Sequence, residues 1–234
     1  MEQYLKLLQA SDRLIFKNIE TLRERIRNEA LQVNVIDYGA GDPNEKRSEQ
    51  LMLQGVLKQV NTKKLCQIGL KNEYAHLLYA LVKKFQPKTV LELGTCCGFS
   101  AIYMSKAAQE ESTIHTIEGS PETAKIAQRN FSSVHCINIK PYVGRFSDIL
   151  PALLDTIDPL DFVFIDGHHD RDATLAYYQQ IKPFLNNKAL VLFDDISWSD
   201  GMKEAWSIIK QDKHIEHYED FHKIGLCFFN KDKV

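Results

Sequence analysis

From residue 72 onward the chain alternates short, β-prone apolar runs with segments of helical period, and this alternation constrains the fold more than any other feature. The apolar runs are Thr89–Leu93, Thr113–Ile117, His135–Ile139, Asp161–Ile165 and Ala189–Phe193. Helical segments fall at Asn72–Phe85, Ser100–Ala108, Pro121–Phe131, Ser147–Asp155, Ala173–Leu185 and Gly201–Gln211. Strands with apolar cores, each separated from the next by a helix, predict parallel crossovers with helices on both faces of one sheet. The pattern breaks at the end, where His214–Phe221 and Lys223–Phe229 follow one another without a helix and should pair as a hairpin. The expected fold is α/β: a doubly wound, seven-stranded, mostly parallel sheet with a C-terminal antiparallel hairpin, plus N-terminal helices.

The first 70 residues read differently. From Glu2 to Leu31 the sequence is charged, with Leu5, Leu8, Asp12, Ile15, Ile19, Leu22 and Ile26 three or four apart. This is a helical stripe in which Asp12 is the polar exception. Asp37–Asn44 is rich in turn formers and reads as a loop. Ser48–Val60 reads as a second helix with Ser48 as its N-cap. The division is residues 1–70 as a helical appendage, acting as cap or dimer element, and 71–234 as the main domain.

A chain of 234 residues with 44% apolar and 26% charged residues can bury a core without a staple. Its formal charge of −2 predicts neither nucleic-acid nor membrane binding. No apolar run is long enough to span a bilayer, and MEQYLKLLQA lacks the marks of a signal peptide. Five cysteines, an odd count without a CxxC pair, read as reduced thiols in a cytoplasmic protein.

Two segments contain candidate ligand turns. Val35–Asp42 carries two glycines but leads into PNEKRSEQ rather than an apolar helix, and it reads as a loop. The other, TVLELGTCCGFS from Thr89 to Ser100, runs from a strand through a tight turn into an apolar helix. Its Gly94 and Gly98 permit sharp bending and close approach of a ligand. Cys96 stands where a pyrophosphate fingerprint has its middle glycine, so an adenosine ligand without phosphates suits this turn better. The second strand ends at Glu118, 24 residues after Gly94, where a carboxylate can accept hydrogen bonds from both ribose hydroxyls. Gly119 follows it, and Pro121 can open the next helix.

VLELGTCCGFS, TIEGSPETAKIAQRNF, DFVFIDGHHDRD and LVLFDDISW together resemble the successive motifs of class I S-adenosylmethionine-dependent methyltransferases. Within that class the chain resembles the catechol and caffeoyl-CoA O-methyltransferase group over about residues 72–230. The resemblance implies that Glu92, Gly94, Thr95, Cys96, Gly98 and Ser100 surround the amino-acid part of S-adenosyl-L-methionine. It implies that Glu118 and Gly119 meet the ribose, that Phe146 and Ser147 approach the adenine, and that Asp166 lies near both cofactor and substrate. Appended helices in such proteins cover the substrate site or build a homodimer.

Methyl transfer to oxygen requires in-line alignment and removal of a proton by a base or with a metal's help. Asp166, Asp194 and Asp195 follow neighbouring strands and could converge on Mg²⁺ or another divalent cation. The group's metal-dependent members have Asn where this chain has Asp195, and Lys where it has His169. His169 is therefore the expected base, with His168 and Asp170 as neighbours that could serve or orient it. Trp206 is expected in the core, and Trp198 is a candidate for lining an acceptor pocket. The leading reading is methyl transfer to a small-molecule acceptor, most simply at oxygen. A nicotinamide-dependent oxidoreductase and a non-catalytic nucleoside-binding protein are the competing readings.

Overall fold

In a computed structural model, residues 1–42, 45 and 47–233 are described. The chain opens with α1 (Glu2–Leu5) and α2 (Ala10–Glu29), followed by β1 (Gln32–Asp37), α3 (Glu49–Gln54), β2 (Val56–Asn61) and α4 (Thr62–Leu65). Next come α5 (Asn72–Phe85), β3 (Thr89–Leu93), α6 (Phe99–Ala107), β4 (Thr113–Glu118), α7 (Pro121–Ser133), β5 (Ile139–Val143) and α8 (Phe146–Leu154). The chain closes with β6 (Leu160–Ile165), α9 (Arg171–Ile181), β7 (Leu185–Phe193), α10 (Asp200–Ile209), β8 (Ile215–Asp220) and β9 (Gly225–Phe229).

Among the described residues the main sheet has seven strands in the order β5-β4-β3-β6-β7-β9-β8. The β5-β4-β3-β6-β7 part is parallel, and β9 pairs antiparallel with both β7 and β8. All five residues of β3 are buried, as a central strand covered on both faces requires. The sheet separates two apolar layers. One holds Val90, Phe162, Phe164 and Leu192 against α5 and α6, and the other holds Leu91, Leu93, Val163 and Phe193 against α8, α9 and Trp206. Trp206 is 4% exposed and its indole N–H donates to Asp220 at 2.9 Å. Each such aliphatic or aromatic side chain contributes roughly 1.5–3 kcal/mol by leaving water.

The strand order reverses between β3 and β6, so the carboxyl ends of β3, β4, β6 and β7 face one crevice. The site residues lie at these ends.

Three sequence expectations need correction. The run His135–Ile139 is not the edge strand; β5 begins at Ile139 and includes Pro141, which an edge position tolerates because one side needs no ladder donor. Ser48 does cap a helix, accepting from the Leu51 N–H at 3.3 Å, but that helix stops at Gly55 (φ +76°). The rest of the expected helix is β2, paired antiparallel with β1. Val35–Asp37 therefore belong to a strand rather than to the loop, while Pro43, Asn44 and Lys46 lie outside the described residues.

The first 70 residues are thus helices with a two-stranded ribbon, and they share the core of the main sheet. Phe16, Ile19, Leu22 and Ile26 of α2 lie in one cluster with Leu77, Tyr103 and Leu226. Asp12, 2% exposed, is held by the Tyr79 hydroxyl at 2.9 Å and by Lys83 at 2.8 Å. Burial works against its charge, but the Gln9 N–H, Lys83 and Tyr79 outweigh it and hold the carboxyl below its ordinary range. A polar residue on an apolar stripe is accommodated only by such a complete set of partners.

Candidate active site

The turn after β3 is shaped first by the chain itself. Gly94 has φ +106°, and a Cβ there would lie 1.9 Å from the Asp166 carbonyl oxygen at the end of β6. Gly98 has φ +83°, and a Cβ there would meet the Phe131 ring at 2.4 Å. Both glycines are needed for close packing of strand, turn and helix before any ligand is considered. Cys96 adopts φ +47°, a conformation unfavourable for a residue with a Cβ. In it, the Cys96 N–H donates to Glu118 Oε2 at 2.7 Å.

Glu118 closes the crevice from β4. Its second oxygen accepts from the Ser120 N–H at 2.8 Å, so two backbone donors orient one carboxylate. Burial nevertheless pushes its pKa above the usual glutamate value. An ionised carboxylate has about four lone-pair directions, leaving acceptor capacity for hydroxyls of a bound sugar.

Glu92 lies beneath the turn and is fully buried. Its Oε2 accepts from the Thr116 hydroxyl at 2.5 Å, and the Thr116 and Thr95 hydroxyls are themselves 2.5 Å apart. Glu92 Oε1 has no hydrogen-bond partner, and burial pushes the carboxyl up to about 7. An unpartnered buried oxygen is costly and suits a polar or cationic group brought by a ligand.

The ends of β6 and β7 gather the remaining charges. Asp194 is 2% exposed and Asp195 stands in the left-handed region with φ +53°. The ammonium of Lys223 lies 2.8 and 2.6 Å from the two Asp194 oxygens and 3.2 Å from Asp195 Oδ1. Burial alone would lower this lysine's pKa, but Asp194, Asp166 and Asp195 together raise it above the ordinary value. Asp166 is pushed well up, first by burial and then by the neighbouring charge of Asp194. His169 Nε2 lies 3.8 Å from both Asp166 Oδ1 and Asp195 Oδ2, between the two carboxylates.

This arrangement departs from the metal set expected at Asp166, Asp194 and Asp195. A hard divalent cation takes six or more oxygen ligands and needs carboxylates facing a free position. Here Lys223 holds that position, and among the described residues no His, Cys, Asp and Glu group of three or more comes together as a metal ligand set.

Other expected residues take more modest places. Asp170 caps α9, accepting from the N–H groups of Asp172 and Ala173 at 3.0 Å, so it does not orient a histidine. His168 Nδ1 lies 2.9 Å from the Tyr177 hydroxyl. Phe146 lines the crevice floor beside Gly167, where a Cβ would meet its ring at 2.8 Å. Ser100 is buried in the first turn of α6, whereas Ser147 is exposed and donates to Asp148 at 3.2 Å. Trp198 is 44% exposed just past the aspartates.

Sequence reading missed Lys223, and also the segment after β1. The Tyr38 ring packs against Gly119, where a Cβ would approach it to 2.7 Å, and the Ala40 N–H donates to the His168 carbonyl at 2.7 Å.

The sheet order, the turn at Gly94 and the acid ending the next strand define the α/β methyltransferase fold. Residues 91–196 match the family described as a methyltransferase domain. A catechol O-methyltransferase of Niastella koreensis is 29% identical over 131 residues, 55% of this chain and 58% of that protein. One of Mycobacterium tuberculosis is 28% identical over 151 residues, 64% of this chain and 67% of that protein. The chain thus matches somewhat more than half the length of these curated relatives. The crystal structure of the O-methyltransferase TomG from Streptomyces achromogenes, in complex with S-adenosylmethionine, aligns with a TM-score of 0.61 at 20% identity. That alignment covers 69% of this chain and 82% of TomG.

Proposed function

We propose that this protein is an S-adenosylmethionine-dependent O-methyltransferase acting on a small-molecule acceptor. The observation that carries the proposal is Glu118, held by the Cys96 N–H of the glycine turn at 2.7 Å. It joins the two features a nucleoside site needs, a backbone cradle and a ribose acceptor. The unpartnered Glu92 Oε1 below the same turn fits a ligand that brings its own cationic group. The catechol O-methyltransferase relatives favour methyl transfer, and they lend no support to the nicotinamide-dependent alternative.

When bound, S-adenosylmethionine supplies an electrophilic methyl group: a C–O bond forms as the S–C bond breaks, and the electron pair stays on sulfur. The chain must hold the acceptor in line and remove its proton, and positioning alone can contribute roughly 7–11 kcal/mol. His169 takes that proton at Nε2, which lies 3.8 Å from both Asp166 Oδ1 and Asp195 Oδ2. Phe146 offers its ring to the adenine, and Gly94, Thr95, Gly98 and Ser100 shape the amino-acid end.

Residues 1–70 act as a cap on the 71–234 methyltransferase domain. Tyr38 against Gly119 and Ala40 against His168 support this, because both touch the crevice rim. A formal charge of −2 favours a small molecule over nucleic acid as acceptor. No helix among the described residues is long and apolar enough to cross a membrane. The five thiols, all unbonded, support a cytoplasmic location. A homodimer is compatible with this arrangement but is not required by the cap.

Isothermal titration with S-adenosylhomocysteine and, separately, with NAD tests the proposal. One-to-one binding of the former is expected; binding of NAD alone would overturn it.

A further inference from the structure

We infer that the Lys223 ammonium takes the place of a divalent cation, so that the chain itself supplies the positive charge beside Asp194 and Asp195 and no metal enters the site. The inference deepens the methyl-transfer reading and rests on it for its catalytic meaning.

The ammonium lies against both carboxylates. It donates to the two Asp194 oxygens, at 2.8 and 2.6 Å. Asp195 Oδ1 is an ion-pair partner at 3.2 Å. A divalent ion bound to the same oxygens would sit about 2.0–2.6 Å from them. It would fall on or beside Nζ, where two positive charges repel. Metal and lysine therefore exclude one another unless the lysine swings out.

The backbone sets the main chain of Lys223 opposite the aspartates. In the antiparallel β7–β9 pair, Phe193 lies opposite Gly225, so the aspartates just past β7 face the residues just before β9. The Ile196 N–H continues this pairing to the Lys223 carbonyl at 3.0 Å, and the Lys223 N–H donates to the Phe221 carbonyl at 2.8 Å. His222, immediately before it, is held at φ +70°, a conformation that costs free energy in a residue with a Cβ. Lys223 is thus aimed at the aspartates by a hairpin tied on both sides.

The charge environment agrees. Asp166, Asp194 and Asp195 surround one lysine, and His169 lies on the far side at 3.8 Å from Asp166 and from Asp195.

The test uses the full chain, treated with chelator and freed of it, titrated with MnCl₂ while calorimetry and Mn²⁺ electron paramagnetic resonance report binding. The wild type should show no saturable site below millimolar Mn²⁺. Lys223→Met, which keeps the length of the side chain without its charge, should bind one Mn²⁺ at least roughly tenfold more tightly. A stoichiometric micromolar site in the wild type would overturn the inference, as would a folded Lys223→Met protein that binds no Mn²⁺. If that variant does not fold, the wild-type titration decides alone. S-adenosylhomocysteine is titrated into the same metal-free wild type. Its failure to bind would remove the methyl-transfer reading, whereas a micromolar Mn²⁺ site beside normal binding would remove only the inference about Lys223.

Discussion

The backbone N–H of Cys96 meets Glu118 Oε2 at 2.7 Å, joining the turn after β3 to the end of β4. The contact orients the carboxylate with no side chain spent on the task. Replacing Glu118 by Ala removes an acceptor from the ribose and leaves the Cys96 and Ser120 donors to water. S-adenosylhomocysteine affinity, measured by isothermal titration, should fall by roughly 1–3 kcal/mol, the scale of hydrogen bonds to a charged acceptor. Unchanged affinity would separate Glu118 from the ligand.

His169 carries a prediction about rate rather than affinity. With the imidazole gone, the acceptor proton has no base, and general-base catalysis is worth roughly 100- to 10,000-fold. His169→Gln should lower kcat by that factor while S-adenosylhomocysteine binding changes by less than about twofold. Equal losses in both measurements would instead mean that the loop had collapsed.

The pH dependence of stability reports on Glu92. Burial raises its carboxyl from 4.5 to about 7, so the folded chain keeps a proton that the unfolded chain gives up. Its stabilising contribution is full below the unfolded value and is lost as pH rises through about 7. Urea titrations of the ligand-free protein across this window should show wild type losing roughly 2–3 kcal/mol more than Glu92→Gln, whose side chain has no such proton. Parallel curves for the two proteins would contradict the placement of Glu92.

Asp12 should behave in the opposite sense. Its carboxyl is held below the ordinary 3.8, so its contribution is present above that value and is lost as pH falls further. Asp12→Ala strands the Tyr79 hydroxyl and one side of Lys83, which is itself one-third exposed. A loss of roughly 2–3 kcal/mol near neutral pH, read from the urea midpoint, is expected, toward the lower end for a buried charge pair because water reaches the lysine.

The parts of the molecule legible in sequence are those whose signal is local. The alternation that marks β3, β4, β6 and β7 is a property of consecutive residues, and so is the reach from Gly94 to Glu118. Burial on both faces makes such strands continuous apolar runs. β5 escaped because it is an edge strand whose Lys140, Pro141 and Val143 are exposed, while the more apolar Cys136 is buried in the preceding connection. β2 escaped because LMLQGVLKQV carries a helical spacing through Gly55; only that glycine's positive φ marks where the helix ends and the ribbon begins. Glycines were read as room for a ligand, but at Gly94 the nearest obstacle is the Asp166 carbonyl. Lys223 gave no local signal at all. It lies 28 residues beyond Asp195, and only the antiparallel return of β9 beside β7 brings the two together.

That return strand has a consequence for how the protein would respond to its surroundings. An ion drawn from solution fills its site according to its concentration and departs when a competitor or chelator appears. The ammonium beside Asp194 is carried on the polypeptide, so its occupancy is set when the hairpin folds. Swings in magnesium supply would leave such a catalyst unmoved, and its charge balance would be inherited with the sequence rather than acquired afterwards.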